Sequence, residues 1–226
     1  MVKPSENPSY IQVRQDLLGM IDRSRSCEAV LDVGCSRGAT SAELRRIYGG
    51  SIKRIVGIEL DKDAAQAARE DAGFDQVYCE DAEAALAKLV AQNETFDVVF
   101  CGDVLEHLKD PWQALQDIRA LCSEQAQVII SLPNVGHYST IVALLTQRWP
   151  YESRGIHDRT HLRWFASRNL KDLYAQASFK EVERRKTHRL IERPHKLNHK
   201  TERWVKRIPV VKTLTVFQFL SRLEPK

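Results

Sequence analysis

The sequence predicts an α/β fold in which a parallel sheet is wound on both faces by helices. Three observations predict it. Short apolar, β-branched runs alternate with helical patterns from residue 29 to residue 132, the order expected of strand, crossover helix and parallel strand. The first run, Ala29 to Val33, breaks into a turn bracketed by Gly34 and Gly38 before a helical pattern begins. The second and third runs each close on an acidic side chain, Glu59 and Asp81.

Taken in order, residues 1–8 read as a loose arm. Tyr10 to Ile21 reads as a helix with Tyr10, Val13, Leu17, Leu18 and Ile21 on one face, placed either over a ligand pocket or against the sheet edge. The Ala29–Val33 run is apolar enough for a strand buried on both faces, and Ala39 to Tyr48 is the helix after it. Its unpaired N–H groups face the glycine turn. Arg54 to Ile58 is the second strand, and an alanine-rich helix follows over Asp61 to Ala72. Gln76 to Glu80 is the third strand, with Glu83 to Ala91 its helix. Phe96 to Cys101 and Ala126 to Leu132 are the fourth and fifth, flanking a helix over Pro111 to Leu121 that carries proline in its first turn.

Pro133 to Ile156 breaks the alternation with Pro-Asn-Val-Gly-His, an apolar turn at Ile141 to Leu145, and Arg-Trp-Pro-Tyr. This is the natural place for a substrate lid. Asn169 to Ala177 is the last core helix, Phe179 to Arg185 a sixth strand and Leu214 to Leu223 a seventh. The expected organisation is one domain over 1–226: an arm and helix at 1–25, a cofactor-binding core at 26–135, a lid insertion at 136–165, and a helix with two strands at 166–226.

With 226 residues, 43% of them hydrophobic, the chain is long enough to bury its own core. The N-terminus lacks an apolar signal-peptide core and no stretch reaches the roughly 18 apolar residues of a membrane span, so a cytoplasmic protein is expected. The five cysteines lack any C-x-x-C pair and fall in or beside predicted strands, which suits reduced core thiols better than a metal cage. Charge is unevenly spread. Lys180 to Lys212 holds twelve Lys or Arg against four Glu, a local +8 in a chain of net +4. Such a stretch suits the phosphates of nucleic acid, a nucleotide-sugar or a membrane surface, or simply a solvated face.

Strand, glycine turn and helix make the entrance of a nucleotide-type cofactor pocket, although the dinucleotide pattern G-x-G-x-x-G is not met. Glu59, about 20 residues on at a strand end, can accept both hydroxyl hydrogens of a ribose. Val30-Leu-Asp-Val-Gly-Cys-Ser-Arg-Gly38, Ile55-Val-Gly-Ile-Glu59, Cys79-Glu-Asp81, Phe96 to His107 and Val128-Ile-Ile-Ser-Leu-Pro-Asn134 stand in the order and spacing of the class I S-adenosylmethionine (SAM)-dependent methyltransferases, which this chain resembles. One departure is Ser36, where the family usually has a glycine. The resemblance implies a Rossmann-like, seven-stranded, mostly parallel sheet whose seventh strand lies antiparallel between the fifth and sixth. It implies SAM as cofactor, with Asp32, Gly34, Cys35 and Gly38 at its methionine end, Glu59 on the ribose, Leu60, Asp81 and Ala82 around the adenine, and Asp103 with Val104 below.

A sulfonium methyl is already activated, so the protein has mainly to align an acceptor and exclude water. A hydroxyl acceptor must also lose its proton. Asp103-Val-Leu-Glu-His107 follows the fourth strand, where the methyl should lie, which makes His107 the first candidate base unless it merely orders the loop. Asp103, Glu106 and His107 are also a candidate set for Mg²⁺ or Mn²⁺, resembling the E-x-x-E-H of ubiquinone-pathway and small-RNA methyltransferases. The dense block Arg154 to Phe165 supplies His157, Asp158 and His161 as further candidates for acceptor contact or proton acceptance; alternatively Asp158 caps the next helix. This block and Val216-Phe-Gln-Phe219 resemble a subgroup associated with cell-surface polysaccharide and natural-product pathways. The expected reaction is O-methylation of a hydroxyl on a sugar or small metabolite. The rival readings are an RNA 2′-O-methyltransferase and a non-catalytic SAM-binding module. No RNA-binding module is recognisable, so nucleic acid is not the expected partner; oligomeric state stays open.

Overall fold

The computed structural model describes residues 12–191 and 209–226. Seven strands form one sheet: β1 Ala29–Val33, β2 Arg54–Ile58, β3 Gln76–Tyr78, β4 Phe96–Gly102, β5 Cys122–Pro133, β6 Phe179–His188 and β7 Val216–Pro225. Their order is β3-β2-β1-β4-β5-β7-β6. All neighbours among β1 to β5 are parallel, and β7 runs antiparallel to both β5 and β6. The direction of winding reverses between β1 and β4, and in such sheets the ligand crevice opens at the C-terminal strand ends beside that reversal.

The helices are α1 Gln15–Leu18, α2 Ala39–Tyr48, α3 Lys62–Glu70, α4 Ala82–Ala91, α5 Pro111–Ala120, α6 Tyr138–Leu145, α7 Ser167–Gln176 and α8 Pro209–Leu214. Alternation along the strands divides the apolar residues between two cores. Leu31 and Val33 of β1 join Leu86, Leu115, Leu173 and Tyr174 on one face. Val30 joins Leu17, Leu18, Leu44 and Phe74 on the other. Every one of these side chains is buried, at roughly 25 cal/mol per Å² of apolar surface removed from water.

Several element boundaries differ from the sequence reading. The expected helix over Tyr10 to Ile21 is only the four residues of α1; Tyr10 and the loose arm lie outside the described residues. Arg14 is held extended at φ −79°, ψ 77°, and the chain turns at Gly19, yet Leu17, Leu18 and Ile21 still pack into the core. The apolar turn at Ile141 to Leu145 belongs to helix α6, whose first turn is capped by His137 through the Ser139 N–H at 3.3 Å. Strand β3 stops at Tyr78, whose carbonyl accepts the Glu59 N–H at 3.0 Å. Cys79 just beyond it is exposed, unlike buried Cys27, Cys35 and Cys101. Asp158 caps no helix and instead closes a local turn, accepting the Thr160 N–H at 2.9 Å and hydroxyl at 2.7 Å.

Candidate active site

A cleft of about 460 Å³ opens at the C-terminal ends of β1 and β4, where the winding reversal places it. Its floor is the glycine turn. Gly34 adopts φ +71°, and a Cβ there would stand 2.5 Å from Val104 Cγ2, so Val104 fills the space beneath the turn. Gly38 also has a left-handed backbone, but its missing Cβ makes room for Phe74 at 2.5 Å; its role is in packing, and it does not line the cleft. Ser36, where the family usually has a glycine, takes φ 49°, the conformation a glycine would adopt freely.

Glu59 holds this turn in shape. One carboxylate oxygen accepts the Ser36 N–H at 2.8 Å and the other the Asp61 N–H at 2.8 Å. A carboxylate has about four acceptor positions, so these two bonds leave Glu59 with acceptor capacity to spare. Leu60 beside it is 69% exposed. Asp81 caps α4, accepting from the Glu83 N–H at 3.0 Å, with Ala82 the first residue of that helix. Glu59, Leu60, Asp81 and Ala82 stand beyond the ends of β2 and β3 and none of them lines the cleft; Glu59 reaches it through Ser36, which does.

Asp32 and Cys35 line the cleft. Burial drives the Asp32 carboxyl up to about 7, against the lowering effect of the Ser41 hydroxyl that donates to it at 2.6 Å. Asp103 at the end of β4 accepts from Arg14 at 2.7 Å, from the Ser131 hydroxyl at 3.0 Å and from the Gln218 amide at 2.5 Å. Burial alone would raise its pKa; the Arg14 charge and these bonds outweigh burial and hold it below the usual carboxylate range. Arg14 and Gln218, neither singled out from the sequence, thus belong to the wall of the site. An arginine in the N-terminal segment and a glutamine on the last strand are 204 positions apart, and nothing local marks them as neighbours.

The strand-end turn Leu105–His107 and the block 154–165 come together over the cleft. The Glu106 carbonyl accepts the Leu162 and Arg163 N–H groups at 2.8 and 3.0 Å. Glu106, His107 and His161 then present ligand atoms within 4.8 Å of one another, with His161 Nε2 4.0 Å from Glu106 Oε1. Of the candidate cation set Asp103, Glu106 and His107, only the last two come together: Asp103 turns to Arg14, and His161 lies beside Glu106 and His107. His161 Nδ1 lies 3.1 Å from the Ile156 carbonyl. A proton on Nδ1 donated to that carbonyl leaves Nε2 as a bare acceptor toward Glu106. His107 Nδ1 is 3.3 Å from the Thr160 carbonyl and 3.1 Å from its hydroxyl, so Asp158 positions His107 through Thr160.

His157, another expected catalytic candidate, does not reach the cleft. It is buried with Nε2 3.1 Å from the Thr140 hydroxyl and its ring against Trp149, tying the block to α6. Glu106 is the buried carboxyl of this cluster. It is 1% exposed, its Oε2 has no hydrogen-bond partner, and burial followed by the Asp103 charge pushes its carboxyl well above the usual range. Burial, then His107, pushes His161 down. Two imidazoles beside a buried carboxyl whose Oε2 lacks a partner are a donor set that a divalent cation would complete.

A family model of the methyltransferase domain matches residues 9–184. The chain belongs to that family. The methyltransferase is similar to solved SAM-dependent methyltransferases. One from Archaeoglobus fulgidus aligns over 93% of this chain and 91% of its own at a TM-score of 0.63 and 20% identity. The magnesium protoporphyrin IX methyltransferase of Synechocystis, solved with bound S-adenosylhomocysteine, aligns over 94% and 81% at 0.59 and 12%. At these identities the likeness is one of fold. Among curated relatives, a ubiquinone biosynthesis O-methyltransferase of Ruegeria pomeroyi is 28% identical over 79% of this chain and 73% of its own length. That of Glaesserella parasuis is 30% identical over 46% of this chain and 45% of its own. The match spans about half the length of several such relatives. These likenesses give the family and the fold. Among the described residues no helix is long and apolar enough to cross a membrane.

Proposed function

We propose that this methyltransferase moves the methyl group of SAM to a hydroxyl of a small polar acceptor, a sugar or similar metabolite, at the Glu106, His107 and His161 cluster. The observation that carries this reading is the buried, unpartnered Glu106 Oε2 beside two imidazoles whose Nδ1 atoms face carbonyl oxygens. When bound, SAM supplies a methyl carried on a sulfonium, and a divalent cation on the three donors would supply Lewis acidity toward the acceptor oxygen.

The chain's own residues do the rest. The Gly34 turn, Asp32 and Cys35 receive the methionine end, Glu59 the ribose, and Leu60, Asp81 and Ala82 the adenine. Asp103, held by Arg14 and Gln218, closes the floor beside Val104. Glu152, Arg154 and Asp158 from the lid, with Thr187, Arg189 and Gln218 from the sheet edge, give the acceptor side of the cleft a polar wall, which suits a polyhydroxylated molecule. His107 receives the acceptor proton or, with the cation present, helps hold it. The lid over 136–165 excludes water. The name O-methyltransferase borne by the relatives supports the reaction class.

The test is calorimetric titration of SAM, S-adenosylhomocysteine and Mn²⁺ into the chain and into Glu106→Gln. The reading expects one cation site that the variant loses while SAM affinity stays unchanged, and label transfer from methyl-tritiated SAM to a small-molecule extract that chelator stops. SAM binding with chelator-insensitive transfer would return the chemistry to His107 as a metal-free base. SAM binding with no transfer to any pool would leave a binding module.

A further inference from the structure

A second cavity, of about 250 Å³, lies between α5, α7 and the end of the 154–165 block, and it shares no residue with the cleft. Two tryptophans form its apolar part: Trp112, in the first turn of α5, and Trp164, 41% and 46% exposed. Indole rings left this open to water carry a large apolar area and a polar N–H, the combination that favours an amphipathic contact. Helix α7 supplies the facing side. Asn169, Asp172, Leu173 and Gln176 stand at the spacing i, i+3, i+4 and i+7, which puts all four on one helical face. Leu173 is buried at the back, and the three polar residues are exposed.

The polar groups of this cavity are poorly used by the protein itself. The Asp172 carboxylate and the Gln176 amide make no hydrogen bond among the described residues. Asn169 spends its carbonyl oxygen on the Ala166 N–H at 3.4 Å, which leaves its amide N–H groups as donors. The Arg163 guanidinium, which also lines the cavity, donates to the Leu162 carbonyl at 2.9 Å and to the Lys109 carbonyl, and it pairs with no carboxylate among the described residues. One cation and one anion therefore face a single small space without neutralising each other. An anionic ligand would meet Asp172, and a cationic one would meet Arg163. A wholly apolar ligand would bury the carboxylate and amides without partners. A neutral molecule with hydroxyl donors and acceptors on one side and C–H surface on the other satisfies the polar groups and the indoles together. The volume falls just below the roughly 300–1,000 Å³ of sites for drug-sized ligands, which suits one ring.

We propose that the cavity between α5 and α7 is a binding site for a neutral pyranose ring, stacked on Trp112 or Trp164 and hydrogen-bonded through its hydroxyls to Asp172, Asn169, Gln176 and Arg163. The site is built into the block that closes the catalytic cluster: the Arg163 N–H donates to the Glu106 carbonyl at 3.0 Å, and the Trp164 ring meets Trp149 edge-on at 5.6 Å. This inference goes beyond the reading of the cleft and does not depend on it. A sugar bound in the cleft touches neither Trp112 nor Asp172, so the two readings fail separately.

The experiment is saturation-transfer NMR of the full chain with methyl glycosides of glucose, galactose and mannose, without SAM or cation, followed by titration of any glycoside that responds. At least one should receive saturation, strongest at its ring C–H protons. Trp112→Ala and Asp172→Asn should each weaken its binding by about tenfold, and Trp112→Phe, which keeps a ring, should lose less. Melting temperatures of Asp172→Asn and Trp112→Phe should stay within a degree or two of the wild type, because both positions face the solvent-open cavity. No saturation of any of the three glycosides overturns the proposal. Binding that neither Trp112→Ala nor Asp172→Asn weakens also overturns it and moves the sugar to the cleft. Saturation of tetramethylammonium that Asp172→Asn abolishes, with none of the glycosides, would make the cavity a cation site and overturn the proposal as well.

Discussion

The Arg14 guanidinium stands 2.7 Å from the Asp103 carboxylate, a bond that spans 89 positions of sequence and joins the segment before α1 to the end of β4. Asp103 has φ 57°, a conformation that costs an L-residue roughly 1–2 kcal/mol. Its side chain justifies that cost by gathering Arg14, Ser131 and Gln218 at the floor of the cleft. The backbone N–H of Arg14 adds a bond to the Thr40 hydroxyl at 3.1 Å, so the N-terminal segment is strapped to both α2 and β4 across the cofactor side.

Arg14→Met keeps the aliphatic stem and removes the ion pair. Stability should fall by about 1–2 kcal/mol in urea denaturation, given that both partners are partly solvated. SAM should bind several-fold more weakly by calorimetry. Unaltered SAM affinity would show that the strap shapes the fold and not the pocket.

Glu59→Ala removes two acceptors of ribose hydroxyls and releases the Ser36 and Asp61 N–H groups together. SAM binding should weaken by roughly 2–4 kcal/mol. Glu59→Gln, which keeps one acceptor oxygen, should lose less. Equal affinity in all three proteins would sink the assignment of the ribose.

Ser36→Gly relieves a left-handed serine while adding freedom to the unfolded chain. The strain relief, roughly 1–2 kcal/mol, exceeds the added unfolded-state entropy of about 0.5–1 kcal/mol. The melting temperature should therefore rise slightly, with SAM affinity retained. A drop would show that the serine side chain makes a contribution to the turn that its backbone does not reveal.

Glu106→Gln keeps the side-chain volume and abolishes the ionised form that burial opposes. Thermal stability in the absence of cation should hold or rise by about 1 kcal/mol, while Mn²⁺ binding is lost. Destabilisation of several kcal/mol would mean that the carboxyl is a structural member of the cluster.

Asp32 carries the pH dependence. Its folded-state pKa of about 7 is raised above the unfolded value of about 3.9, so the folded state holds the extra proton between the two. Its contribution is fully present below pH 4 and is lost as pH rises to about 7. Glu106, also raised, acts in the same direction. Melting temperatures measured from pH 5 to pH 8 should fall less steeply in Asp32→Asn than in the wild type. Parallel curves would place the titration elsewhere.

The sequence made the sheet legible because parallel strands buried on both faces must be short, apolar and β-branched, as Ala29–Val33, Arg54–Ile58 and Phe96–Gly102 are. Glu59, the Gly34 turn and the Glu106-His107 pair were visible because each sits at a strand end within a few residues of a local signal. The N-terminal helix was overestimated for a related reason: Val13, Leu17, Leu18 and Ile21 do pack into one core, but the helix covers only Gln15–Leu18, and Arg14 before it is non-helical and bonded to Thr40 and Asp103. Periodicity reports which side chains are buried, and it is blind to a distant partner that competes for the backbone.

By itself the sequence determined the order of strands and helices and which residues close each strand, because these follow from local periodicity and spacing; the family entered as a resemblance of its motifs, which the family model over residues 9–184 bears out. Only the tertiary structure decided that Asp103 belongs to Arg14 and Gln218, that His161 joins Glu106 and His107 while His157 turns away, and that the apolar residues of α6 stand exposed. Those outcomes depend on which side chains the folded sheet brings within 3–5 Å. Residues 54 positions apart, such as His107 and His161, become neighbours only after the 154–165 block is hydrogen-bonded over the end of β4.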